Sequence, residues 1–438
     1  MSFDFDFMGV FEILDKYKIP LLSKERGDSF PLIFAGGPVI TTNPEPYKQI
    51  FDFMVIGDGE SVFPKILEIL KMDVDKTQTL EHLSKLEGIY IPYKTKTVKK
   101  LTERLNNIIY TPVISDESYF KNTFIIEIAR GCMNRCAFCT ASYINLPFRS
   151  YGYDKIIEAI GTGLQHTNKI ALLGAQISAH PDFNKVMEYL RNKIEAGNNI
   201  ELSLSSLRVD GITPGLVQTL VLGGQKTTTI AIEAASERLR KFINKNISEK
   251  QIFEAVKIIK ENGLKGVKIY AMIGLPNETD EDIHEFILLA ERLKKENPKF
   301  ELTFSFSSFV PKPHTPFQYC PREDTNTLEK KQKYLQKSLA KLGIESKFSS
   351  IKWDYIQTLL SRSGEEITPL LIDVYKNGGK LGAYKQALKK FKINTEPAIS
   401  GYKTNETLPW EFIEFGTSKD MINSEFRRLN KFTDCKEL

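Results

Sequence analysis

The middle of the chain alternates between two hydrophobic periods. Short β-rich runs stand at Phe124–Ala129 (FIIEIA), Lys169–Gly174 (KIALLG), Glu201–Leu207 (ELSLSSL), Thr228–Glu233 (TTIAIE), Val267–Ile273 (VKIYAMI) and Glu301–Phe309 (ELTFSFSSF). Helical spacing fills the intervals. Ile252, Ala255, Val256 and Ile259 fall at i, i+3, i+4 and i+7, and Ile283, Phe286, Ile287 and Ala290 repeat the pattern. Ser248 with Gln251 makes a capping box ahead of the first helix, Gly263 is placed to close it, and Thr279 is placed to cap the second. Strands alternating with helices predict a parallel sheet with right-handed crossovers. Six units are fewer than the eight of a closed barrel. The expected α/β fold is therefore an open, partial (β/α)6 barrel, with its chemistry at the C-terminal ends of the strands.

Two blocks flank this core, which spans residues 116–345. Residues 1–115 carry a strand into a Gly-Gly-Pro turn at Leu32–Pro38 (LIFAGGP). A second strand enters a Gly-rich loop at Phe53–Glu60 (FMVIGDGE), and a helix starts near Ser61. Over residues 346–438 the strands fade into Lys-rich sequence, predicting a mainly helical extension.

Composition changes this picture little. Hydrophobic residues make up 41% and charged residues 26% of 438, as in ordinary soluble globular proteins. The length suits two or three domains of about 150 residues each. A net charge of +5 is too weak to argue for nucleic acid. Lys94–Lys100 and the group Lys385, Lys389, Lys390 and Lys392 read as solvated faces, with an RNA or acidic-partner surface as the alternative. No run approaches the ~20 apolar residues of a membrane span. Asp4, Asp6 and Glu12 interrupt any apolar leader. The five cysteines do not read as a disulfide framework, because three fall within eight residues. A reducing, cytoplasmic location without a membrane partner is the expectation, with Cys320 and Cys435 as free thiols.

The chemistry is concentrated in Cys132-Met-Asn-Arg-Cys136-Ala-Phe-Cys139, a CxxxCxxC loop directly after the first core strand. Three thiolates on one loop can ligate three irons of a cubane cluster and leave the fourth open. A structural zinc site or an electron-transfer cluster fits the spacing too, but each wants a fourth protein ligand. His180, His314 and Cys320 are the distant candidates for that place.

The motif, its position and the strand pattern resemble the radical S-adenosylmethionine superfamily over about residues 116–345. The resemblance implies that Cys132, Cys136 and Cys139 hold a catalytic [4Fe–4S] cluster. It also implies S-adenosylmethionine on the open iron, cleaved to a 5′-deoxyadenosyl radical. A reducing donor of the flavodoxin or ferredoxin type and a substrate not named by the sequence complete the set. Phe138 matches the aromatic residue beside the adenine. Many members carry a Gly-Gly-Glu motif after the second strand to hold the methionine amino group. Here the stretch reads Leu173-Gly174-Ala175-Gln176, so the acid is missing and backbone carbonyls are expected to serve.

Further segments resemble one subgroup, the cobalamin-binding-domain radical S-adenosylmethionine proteins: Ser205–Arg208 (SSLR), Ile232–Leu239 (IEAASERL), Met272–Pro276 (MIGLP), Phe309–Phe317 (FVPKPHTPF) and Leu408–Trp410 (LPW). Ser206, Arg208 and Glu233 fall at or past strand ends and face the barrel mouth as cofactor contacts, with a structural ion pair as the alternative. Gly274 would let backbone approach a ligand. Lys312 and His314 either line an entrance or belong to a rigid closing loop, and Trp353 and Trp410 are packing residues.

Leu32–Pro38, Asn43–Pro46 and Val55–Glu60 resemble the second half of a cobalamin-type Rossmann domain. The first half would precede Met1, and half a doubly wound sheet cannot build its switch-point crevice. Either Met1 is internal to a longer chain, a partner chain supplies the missing half, or the block serves as a cap. The DxHxxG sequence of base-off cobalamin sites is absent, so cobalamin is a doubtful cofactor. The Gly57-Asp58-Gly59-Glu60 turn reads as a plain strand-to-helix turn, with a phosphate cradle as the alternative. Methyl transfer is the expected outcome if cobalamin binds. Methylthiolation of tRNA or protein would call for a second cluster on N-terminal cysteines, and residues 1–131 contain none. A non-catalytic module of a split complex is the third reading, and all three ligand cysteines are intact.

Overall fold

The computed structural model describes residues 1–430. The six expected core strands form as β4 (Thr123–Glu127), β5 (Lys169–Leu173), β6 (Glu201–Leu204), β7 (Thr227–Glu233), β8 (Gly266–Ile273) and β9 (Glu301–Ser308). The N-terminal block holds β1 (Phe34–Ala35), β2 (Phe53–Val55) and β3 (Ile89–Tyr90). A further strand, β10 (Glu345–Phe348), pairs with β9 from Thr303↔Glu345 to Phe306↔Phe348. All core pairings are parallel. A parallel bridge from Leu207 to Ile230 joins β4–β6 to β7–β10, so seven strands make one continuous wall. The sequence of β10, ESKF, has Phe348 as its single apolar residue, so it carries no β-rich pattern.

The helices explain why the wall curves around a polar interior. On β9, Leu302, Phe304 and Phe306 are buried while Thr303 and Ser305 are only partly covered. The buried set packs outward. Phe286 of the helix Asp280–Glu296 meets Phe306 edge-on at 5.1 Å. β7 repeats the arrangement, with Ile230 and Ile232 outward and Thr229, Ala231 and Glu233 on the opposite face. This period of two gives the wall an apolar outer face and a partly open polar inner one. The two predicted crossover helices form with capping boxes at Ser248/Gln251 and Thr279/Asp282.

The two flanking blocks meet above the strand ends. In the N-terminal block, β1 and β2 are parallel and β3 is antiparallel. Helix α1 (Phe7–Lys16) buries Phe7 and Phe11 in a core shared with the C-terminal helices. That core includes Tyr384, Trp410 and Leu371, together with Ala137, Ala234 and Phe317 from the barrel. Trp410 is almost fully buried and donates to Gln318 Oε1, and Trp353 packs edge-on against Phe5 and Tyr384. Both tryptophans are packing residues, as expected.

Candidate active site

The cysteine loop follows the strand pair at Ala129–Arg130. Gly131 turns the chain with φ +87°, and a Cβ there would lie 2.4 Å from Asn145 O, so only glycine fits. Five hydrogen bonds then pin the loop from outside itself. Ala137 N donates to Ile243 O, and the Asn244 amide donates to the carbonyls of Asn134 and Arg135. Tyr143 Oη donates to Arg135 O, and Phe317 N to Ala137 O. The geometry of the loop is therefore set by the segment after β7 and by the Pro-rich loop after β9.

Cys132 and Cys136 are buried and Cys139 is half-buried. The thiols sense one another: Cys132 and Cys136 each lie close enough to Cys139 for their charges to oppose. Burial pushes the Cys136 thiol up to about 12, against the pull of the Lys245 ammonium, and burial raises Cys139 too. Cation binding is what would release these protons, since a ligating thiol is deprotonated. Among the described residues no three His, Cys, Asp or Glu groups gather as a site for a metal ion. A cubane asks something else of the chain: one thiolate for each of three separate irons, as this loop offers. The donor set thus fits the cluster.

Gln176 stands where the expected acid is missing, and its side chain reaches the loop. Its Oε1 accepts from Cys132 Sγ at 3.4 Å and from the Asn134 amide, which also donates to Cys132 Sγ at 3.3 Å. A polar side chain, rather than the expected backbone carbonyls, therefore faces the first thiol. Gly174 packs closely on Ala129, with a Cβ there only 3.0 Å from Ala129 O, while Ala175 is exposed. Phe138 is half-buried against the shared core.

At the end of β7 the register slips between Ala231 and Glu233, and Glu233 takes φ +66°. Such bulges re-aim a side chain. Here the carboxylate is turned to Lys245, 3.0 Å away, with both side chains largely buried. Burial opposes the Lys245 charge, but Glu233 and Cys136 together outweigh it and hold the ammonium above its ordinary value. Arg208 instead pairs with Asp210 at 2.8 Å and donates to Asn246 O. The Arg208–Glu233 pair weighed from sequence is therefore not formed, because the bulge points Glu233 at a lysine that sequence reasoning missed. Ser206 is exposed past β6. Gly274 has φ +76°, and a Cβ there would run into Leu328 and Glu323. Internal packing thus requires this glycine.

Lys312 and His314 are drawn into contacts with the N-terminal block. Lys312 pairs with the buried Asp4 at 2.9 Å, and His314 Nε2 lies 2.9 Å from Thr42 O. Burial pushes His314 down to about 3, so the ring is neutral. Of the two readings, the structure gives the closing loop. Cys320 is buried, and Cys435 lies outside the described residues.

A cavity of about 780 Å³ opens beside the loop, between the ends of β1 and β2 and the first core strand. Its walls include Phe34, Val55, Phe63 and Ile144, and its polar end is an ion cluster. Arg130 bonds to Asp58, Glu60 and Glu127, and Arg149 to Asp58, all within 2.9 Å. Burial would raise Asp58, but Arg149, the Glu103 amide and Arg130 outweigh it and hold the carboxyl below its ordinary value. Three carboxylates at this end disfavour a phosphate, so the Gly57–Glu60 turn is a structural one.

Comparison with known proteins agrees with this geometry. Residues 1–92 match the family model "Radical SAM proteins, N-terminal", and residues 126–290 match "Radical SAM superfamily". An uncharacterized protein of Methanocaldococcus jannaschii is 34% identical over 83% of this chain and 77% of its own length. An uncharacterized methyltransferase of Pyrococcus horikoshii is 25% identical over 69% of this chain and 67% of its own. Among solved structures, the cobalamin-dependent S-adenosylmethionine radical enzyme OxsB, with aqua-cobalamin and S-adenosylmethionine bound, superposes with a TM-score of 0.54 at 14% identity. The match covers 90% of this chain and 61% of that one, and at this identity it shows the shared fold alone.

Proposed function

The chain belongs to the radical S-adenosylmethionine superfamily, and from that premise we propose that it is an enzyme abstracting hydrogen from its substrate at the inner mouth of the barrel. The observation that carries this reading is the set of three cysteines, with Cys139 coupled to both Cys132 and Cys136, on a loop pinned at the C-terminal end of the first core strand. When bound, the cluster and S-adenosylmethionine supply one-electron cleavage of a carbon–sulfur bond and so a 5′-deoxyadenosyl radical. The chain's own residues do the rest. Cys132, Cys136 and Cys139 give up their protons to hold the cluster. Gln176 offers an amide oxygen beside Cys132 to accept from the methionine ammonium, in place of the usual acid. Lys245, fixed by Glu233 and close to Cys136, offers a cation to the methionine carboxylate. Phe138 supplies an apolar surface for the adenine, and the polar inner face receives the substrate.

A low-potential one-electron donor of the flavodoxin or ferredoxin type belongs to this reading. Cobalamin is bound in the OxsB structure. Here β1 stands at one edge of a three-stranded N-terminal sheet among the described residues. Cobalamin stays an alternative cofactor on this reading, with methyl transfer as the outcome where it binds. Among the described residues no helix is long and apolar enough to cross a membrane.

The test is spectroscopic. Protein reconstituted anaerobically with iron and sulfide should bind four irons per chain and give, once reduced, an electron paramagnetic resonance signal that changes when S-adenosylmethionine is added. An unchanged signal would mean that no iron is open to the ligand and would end this reading.

A further inference from the structure

Away from the barrel mouth, the C-terminal extension builds a second cavity, of about 710 Å³, whose charge is one-sided. It lies between the helices Ile351–Arg362 and Leu381–Phe391, at the start of the helix Thr325–Lys341. None of its lining residues belongs to the cysteine loop or to the strand ends described above. Its floor is apolar, from Tyr355, Ile356, Leu381 and Leu388. Its polar groups are mainly three exposed lysines, Lys352, Lys385 and Lys389, and no carboxylate lines it.

Two features of this cavity have no explanation within the fold. The first is the charge pattern. Some helical lysines elsewhere in the chain pair with a glutamate four residues away, as in Lys85–Glu81, Lys241–Glu237, Lys250–Glu254 and Lys257–Glu261, while Lys333, Lys337 and Lys341 follow one another at that spacing. Lys385 and Lys389 are likewise a like-charged i,i+4 pair, which is destabilising. Among the described residues neither they nor Lys352 has an ion-pair partner within 4.0 Å. The nearby acids are engaged elsewhere: Asp373 with Lys390, Asp324 as the cap of Thr325–Lys341, and Asp354 with the hydroxyls of Ser308 and Ser349. The second feature is Gly382, in the first turn of its helix. It has no positive φ, and nothing lies within 4 Å of where its Cβ would be. A glycine in a helix is unfavourable relative to alanine, and no neighbour in the chain requires this one. It does keep the cavity floor open.

We propose that this cavity is a binding site for an anionic amphiphile, an apolar body carrying a phosphate or carboxylate group. The apolar part would lie on Ile356, Leu381 and Leu388, in the space left by Gly382. The anionic group would take charge-assisted hydrogen bonds from Lys352, Lys385 and Lys389. The volume falls in the range of small-molecule sites. The proposal is independent of the radical chemistry.

The experiment titrates the full chain with dodecyl phosphate below its micelle concentration and follows Trp353, next in sequence to Lys352, by fluorescence with calorimetry in parallel. Inorganic phosphate tests the head group alone, and dodecyl maltoside tests the tail alone. The expected result is saturable one-site binding of dodecyl phosphate, at least roughly tenfold tighter than either control. Lys385→Glu/Lys389→Glu and, separately, Gly382→Trp should each weaken it by at least about tenfold while leaving the unfolding midpoint unchanged. Equal binding by the variants, or maltoside binding as tightly as the phosphate, would overturn the proposal. So would failure of dodecyl phosphate to bind while a small acidic protein is held by the same lysines, because the surface would then be a protein interface.

Discussion

Lys245 shows how much of the site depends on one residue that no motif announces. Glu233 was visible as a strand-end acid, but its partner lies twelve residues on, and only the bulge at Ala231–Glu233 brings them together. The three cysteines were legible because their spacing is itself the chemistry. Gln176 was legible by position, whereas its contact with Cys132 needed the fold. Lys245→Met should leave a buried carboxylate unpaired and destabilise the chain by about 3 kcal/mol. The double variant Lys245→Met/Glu233→Gln should recover most of that loss in denaturant titrations; strictly additive losses would mean the two are not coupled. His314 carries a pH prediction. Its folded value of about 3 lies below the ordinary 6.5, so between these the unfolded chain binds the extra proton. Its contribution is complete above pH 6.5 and is lost as pH falls toward 3, by up to ~1.4 kcal/mol per unit. His314→Gln should lack that slope in a series of melts from pH 7 to pH 5, and matching slopes would refute it.

Among the elements, strands that need β-branched and aromatic residues for packing declared themselves, and those held mainly by pairing did not. β7, β8 and β9 each bury an alternate apolar set against helices. β10 buries none of its four residues and is held by its register with β9, so its polar sequence gave no signal. The helix caps were legible because they are local. Ser248→Ala should remove one cap hydrogen bond of the helix Glu249–Glu261 and cost about 1 kcal/mol by denaturant titration. A change below a few tenths would mean that this cap adds nothing to tertiary packing.

Across the whole molecule, the segments before and after the barrel turn out to be one packing unit over the strand ends. Phe11 meets Tyr375 at 5.5 Å, and Asp4 is held by Lys312, Gln357 and Ser361. Such pairings span more than 300 residues, and no local pattern encodes which helix face meets which. A core shared in this way predicts that the flanks and the barrel lip unfold together. Trp410→Ala, at its centre, should cost about 3–5 kcal/mol and lower a single transition. A separate early transition of the C-terminal helices would show that the core is divided.

On the proposed function, this loop and barrel mouth generate a substrate radical from S-adenosylmethionine. The most direct measurement is 5′-deoxyadenosine, followed by mass spectrometry after the anaerobically reconstituted protein is reduced with dithionite in the presence of S-adenosylmethionine. The native chain should form it, and Cys136→Ala should not. A fully loaded cluster that yields no 5′-deoxyadenosine, or equal yields from both proteins, would contradict that function.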